Sequence, residues 1–283
     1  MKIVNTYPAL LAAYENGAFC LDRWRTYMDG ALPQVMPLAL KDLEKSIGSS
    51  GVSWERDVLP VLNAVWSNRE LRERTVLAFD AVTAGLEDAV REKFGRDLDA
   101  DVILYLGLCN GAGWVTECRE RTVVLLGLEK IMELDWGKPR DLCGLIYHEL
   151  GHVYQAKYGV LTRKSDRSAD AFLWQLFTEG IAMVFEQTLV GDPDFYHQDR
   201  NGWKAWCDAH FNEILADFRR DLKTMTRARQ RYFGDWVDYR GHADVGYYLG
   251  ARFVRSLLSA HELDEIVAFD VESVKKAFAR FAE

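Results

Sequence analysis

Asp141-Leu-Cys-Gly-Leu-Ile-Tyr-His-Glu-Leu-Gly-His-Val-Tyr-Gln-Ala-Lys-Tyr158 is the stretch around which the rest of the chain organises itself. Asp141 is placed to cap the start of a helix and Gly159 to end it. Between them Leu142, Leu145, Ile146, Leu150 and Val153 make the helix apolar nearly all round, which puts it in the interior. His148 and His152 stand one turn apart on one face, so both imidazoles can reach a single ion. Glu149 is turned by roughly 100° from His148, facing the same neighbourhood without sharing the ligand position. Two imidazoles and a carboxylate buried together need a partner, and a divalent cation satisfies all three. The HExxH spacing on a helix is that of a zinc site whose glutamate serves as a general base.

A catalytic zinc takes three protein ligands and leaves one position open. The missing ligand is sought beyond this helix, among His, Glu and Asp. Residues 171–190 form a second helix that is apolar on most faces, with Glu179 in its middle. A carboxylate in such a place is costly to bury unless a cation compensates it, so Glu179 is the leading third ligand. Glu186, two turns further on, is the alternative ligand or an acceptor for an imidazole N–H. His197, His210 and His242 are the other donors.

Outward from these helices, the period of the sequence changes. Residues 101–107, 113–117 and 121–127 are short, β-branched and bounded by glycine, the pattern of a small sheet joined by tight turns. The strand Thr122–Leu126 is either internal or a sheet edge able to hold an extended peptide. Residues 1–98 read as mostly helical, with apolar spacing over Leu10–Met28, Val58–Trp66 and Leu71–Phe94 and a helix stop at Gly95. From about residue 140 the chain is helical again, including an amphipathic helix from Trp203 to Arg231 whose basic residues lie on a solvated face. The fold class expected is α+β, predominantly helical, with a helical region 1–98 packed on a domain of residues 99–283.

Composition narrows the function classes. In 283 residues, 43 acidic side chains against 35 basic ones give a net charge of −8, which argues against a nucleic-acid partner. No apolar run is long enough to span a membrane. The five cysteines show no CxxC pair and no secretory signal precedes them, so a reduced, cytoplasmic protein is expected.

His148-Glu-Leu-Gly-His152 followed by Thr178-Glu-Gly-Ile-Ala182 resembles the gluzincin metallopeptidases, and within them the bacterial "predicted zinc-dependent protease" sequences. The run Asp244-Val-Gly-Tyr-Tyr-Leu-Gly-Ala-Arg-Phe-Val254 adds to the similarity, which covers about residues 100–265. The resemblance implies a zincin-like catalytic core, Zn2+ on His148, His152 and Glu179, and Glu149 as the base acting on a peptide or protein substrate. It also implies an oxyanion donor after the third ligand, for which Tyr248, Tyr247 and His242 are candidates. The 26 residues between His152 and Glu179 exceed the interval in thermolysin-like enzymes and imply an extra loop around Leu161–Ser168. Glu129 is either a mimic of the aminopeptidase amine anchor or a surface glutamate. The alternative function is a metal-binding regulatory or interaction protein of the same fold without turnover.

Overall fold

The computed structural model describes residues 1–118, 120–162 and 168–283. It is mostly helical with one small mixed sheet, an α+β protein. The chain divides into two compact units, Met1–Glu149 and Leu150–Glu283, with the division inside a continuous helix.

In the first unit the strands are β1 (Lys2–Asn5), the hairpin β2 (Tyr14–Glu15) and β3 (Ala18–Phe19), then β4 (Ala100–Tyr105), β5 (Gly113–Cys118) and β6 (Arg121–Gly127). Between β3 and β4 run α1 (Leu21–Ala31), α2 (Met36–Ser50), α3 (Leu59–Ser67), α4 (Arg69–Thr83) and α5 (Leu86–Phe94). After β6 come the short α6 (Leu128–Glu133) and then α7 (Pro139–Tyr158), which carries the unit boundary.

The sheet order is β1-β4-β6-β5. β1 pairs parallel with β4, from Lys2 opposite Asp101 to Asn5 opposite Leu104, and Thr6 extends the match by donating from its amide and hydroxyl to the Leu104 carbonyl. The N-terminal residues therefore belong to the same sheet as residues 100–127, and β1, β2 and β3 stand beside the helices expected in residues 1–98. β4 and β6 are parallel to each other and nearly continuously buried, as interior strands covered on both faces must be. Only β5 runs antiparallel, zipped to β6 from Gly113 opposite Leu126 to Cys118 opposite Arg121. Tight turns between all three strands were expected; the β4–β5 link instead spans residues 106–112, and Thr122–Leu126 lies inside the sheet rather than at its edge.

Two further breaks had local signals. The helix expected over Leu10–Met28 is interrupted by Asn16-Gly17, whose φ angles of 50° and 84° make the hairpin turn that Asn-Gly favours. Gly85, at φ 80°, separates α4 from α5, while Gly95 ends α5 in the left-handed region with its amide on the Arg91 carbonyl.

The second unit contains the end of α7, then α8 (Ser168–Val190), α9 (Trp203–Ala209), α10 (Phe211–Asp221), α11 (Val245–Leu257), α12 (Leu263–Ile266) and α13 (Val271–Phe281). The long helix expected from Trp203 to Arg231 is broken at His210 and stops at Asp221. Arg231 then folds back to pair with Asp217 and Asp221 instead of facing solvent on a helix. α8 and α11 cross at Gly180 and Gly250, where any side chain would strike the facing backbone. Phe177, Phe218, Phe253 and Phe278 fill the space among α8, α10, α11 and α13. Among the described residues no helix is long and apolar enough to cross a membrane. The loop expected around Leu161–Ser168 falls largely outside the described residues.

Candidate metal centre

α7 and α8 are both buried along most of their length, so each polar side chain on them has to be accounted for. On α7, His148 and Glu149 are 3% and 5% exposed. One ligand atom from each of His148, His152 and Glu179 lies within 4.8 Å of the other two. His152 Nε2 and Glu179 Oε2 are 3.3 Å apart, with each side chain 15% exposed. Two ligands held at zinc bonding distances of about 2.0–2.1 Å in a tetrahedron are themselves separated by about 3.3 Å. The donor set and this spacing could hold a metal ion, and His152 and Glu179 are each partly exposed.

Sequence and packing explain the juxtaposition. Gly151, beside His152, lets α8 approach: a Cβ there would come within 2.7 Å of the Ala182 Cα and 3.1 Å of the Phe185 Cβ. Glu179 stands one turn before Ala182 on α8, so the close approach that Gly151 permits brings the carboxylate to the imidazole. The HELGH stretch thus carries a ligand beside the glycine that admits α8, and the TEGIA stretch carries one a turn before the alanine that faces that glycine.

A second group of ligand atoms, from His148, Glu186 and His197, also lies within 4.8 Å, and all three residues are buried. Here the carboxylate already has donors. His197 gives its backbone amide to Glu186 Oε1 at 3.1 Å and shares a 2.9 Å hydrogen bond between its Nδ1 and Glu186 Oε2. Gln187 braces the turn that carries His197 by donating to the Phe195 carbonyl at 3.0 Å. Glu186 and His197 are 0% and 2% exposed. Of the two roles weighed for Glu186, this geometry matches an acceptor that orients imidazoles, an arrangement that fixes the ring and raises its basicity. His197, one of several possible donors from sequence, emerges as the partner of that carboxylate.

Glu149 has an unexpected neighbour in β5. A Cβ built on Gly113 would sit 2.5 Å from Glu149 Oε1 and 2.7 Å from its Cγ. The first residue of the antiparallel edge strand therefore packs directly on the carboxylate, and glycine is required for it to do so.

Glu129 is neither at the surface nor free for a substrate amine. It is 1% exposed, accepts the amides of Gly107 and Cys109 at 2.9 and 3.0 Å, and ties down the start of the 106–112 link. Burial pushes its pKa up to about 7, against the opposing pull of those backbone donors.

The oxyanion candidates are placed as follows. Tyr248 is 1% exposed and donates its hydroxyl to Asp208 Oδ1 at 2.8 Å; burial and that carboxylate raise the phenol well above its usual range. Tyr247 packs edge-on against Phe233. His242 stacks on Trp206 with ring centres 3.9 Å apart, and His210 stacks on the other side at 4.2 Å. Among the described residues, none of these four belongs to either group of converging ligand atoms.

Comparison with known proteins finds no matching family model, no matching curated protein and no matching solved structure. The functional reading rests on the geometry of the site.

Proposed function

We propose that this chain is a zinc-dependent hydrolase that cleaves peptide bonds and has a zincin-like core. The observation that carries the reading is the convergence of His148, His152 and Glu179 within 4.8 Å, next to a buried Glu149. Those three residues would hold the zinc. When bound, zinc supplies a Lewis acid that polarises a carbonyl oxygen and lowers the pKa of a water toward neutrality.

Glu149 is the proton carrier in this account. It accepts a proton from the attacking water and delivers it to the leaving amine, the two transfers a single carboxylate can make in sequence. Its position is set on one side by α7 and on the other by Gly113. Glu186 and His197, with polar atoms within 4.8 Å of one on His148, would orient its ring.

A peptide is favoured over a small amide because β5 is an edge strand whose first residue borders Glu149. Its outward N–H and C=O groups can pair with an extended main chain and lay the scissile bond beside the base. This role passes to β5 from Thr122–Leu126, which is interior. Five cysteines without a CxxC pair suit a reducing, cytoplasmic setting.

The test is a peptide library presented to zinc-loaded parent protein and to Glu149→Gln. Cleavage by the parent that vanishes in Glu149→Gln, with zinc retained in both, supports the reading. A zinc-loaded parent that cleaves nothing, or a variant as active as the parent, overturns it.

A further inference from the structure

α13 presents Ser273, Lys276 and Arg280 at intervals of three and four residues, one helical face. That face borders a groove of about 580 Å³ whose other wall is the end of α11 and the turn that follows it. The groove contains three chemical elements, all within the second unit.

The first is positive charge without a counter-ion. Lys275, on the neighbouring face, pairs with Glu272 and Asp170. Lys276 and Arg280 have no carboxylate partner among the described residues, although the chain has 43 acids against 35 bases. No Asp or Glu lines the groove; the third basic group there is His261, held by Glu265 at 3.4 Å. The second is an uncommitted donor. Ser256 and Ser259 spend their hydroxyl protons on the carbonyls of Phe253 and Ser256, whereas the Ser273 hydroxyl has no partner among the described residues. The third is an apolar floor of Leu257, Phe269 and Phe281, kept open by Ala277 between the two cations.

Unpaired cations beside an aromatic floor, in a concavity within the range that small molecules occupy, define a complementary ligand. We propose that this groove binds a small organic anion: a carboxylate or phosphate group held by Lys276, Arg280 and Ser273, on an apolar body lying over Phe269 and Phe281. A guanidinium and an ammonium one turn apart supply charge-assisted donors to such a head group, and the phenyl rings cover its tail. The site is independent of the metal centre.

Four probes separate the contributions: hexyl phosphate, hexanoate, hexanol and inorganic phosphate, each titrated into the full chain while amide NMR shifts are followed. Saturable shifts centred on residues 256–261 and 269–281 are expected with hexyl phosphate or hexanoate, and the tighter of the two identifies the head group. Lys276→Gln with Arg280→Gln should weaken that binding about tenfold or more, since each lost charged contact is worth about that factor. Ala277→Phe, which fills the groove while keeping both cations, should abolish it. The proposal is overturned if neither anion saturates, if hexanol binds as tightly as the anions, if inorganic phosphate binds as tightly as hexyl phosphate, or if the double variant binds like the parent. Both altered cations are exposed, so the variants are expected to fold, and unchanged shifts elsewhere confirm it.

Discussion

Gly113→Ala is the substitution that probes the proposed catalytic geometry most selectively. The added methyl would lie 2.5 Å from Glu149 Oε1, 2.7 Å from Cγ and 2.9 Å from Cδ. Ordinary contacts between such atoms are about 3.5–4.0 Å, so the side chain must withdraw by about 1 Å. A swing of the carboxylate alone is insufficient, because the Cγ is struck as well. Glu149 is 5% exposed, which leaves little room for the displaced group. A misplacement of about 1 Å in a catalytic group lowers the rate about 100-fold, equivalent to about 2.7 kcal/mol of barrier. Gly113 has no positive φ, so its backbone accepts alanine without strain. The expected outcome is a 100-fold fall in kcat/KM on the best library peptide, with zinc content unchanged and the melting transition lowered by the few degrees that overpacking of about 1–3 kcal/mol produces. Parent-like turnover by a folded Gly113→Ala protein would refute the placement of Glu149 as base against β5.

Three further outcomes are expected. Glu179→Gln should weaken zinc retention in dialysis against a chelator, and unchanged retention would move the third ligand elsewhere. Gly151→Val forces α8 away from α7 and should both destabilise the fold by about 1–3 kcal/mol and release zinc, read by chemical denaturation and metal analysis. Glu129 should make stability fall as pH rises. Its folded pKa of about 7 lies above the usual carboxylate value of 4.5, so between those limits the native state binds more protons than the unfolded chain. At most about 3 kcal/mol is lost across that window, and Glu129→Gln, although destabilising by leaving an amide poorly matched, should remove this slope from denaturation curves recorded between pH 5 and pH 8.

The helices of the metal centre were legible because their signals are local. Asp141, Gly159 and an apolar surround delimit α7, and Glu179 stands out as a carboxylate in an otherwise apolar helix. What escaped the sequence reading depends on non-local pairing. β1 is four residues long and acquires its identity only by pairing with β4, far along the chain. Nothing near Gly-Leu-Glu129-Lys reveals that its carboxylate caps the amides of Gly107 and Cys109. The contact of Gly113 with Glu149 is likewise tertiary. Asn16-Gly17 was different: its hairpin signal was present and was outweighed by the helical spacing of the residues around it. The partner of Tyr248 is also tertiary, since its place in the sequence says nothing of the Asp208 that takes its hydroxyl.

The most direct measurement is zinc stoichiometry by mass spectrometry of the native protein, for the parent, Glu149→Gln and His152→Ala side by side. One zinc per chain in the first two and none in the third is the result that two imidazoles and a carboxylate on α7 and α8 require. A folded parent that takes up no zinc at saturating metal, or a His152→Ala protein that holds it as tightly, would contradict the metal centre on which the proposed chemistry depends.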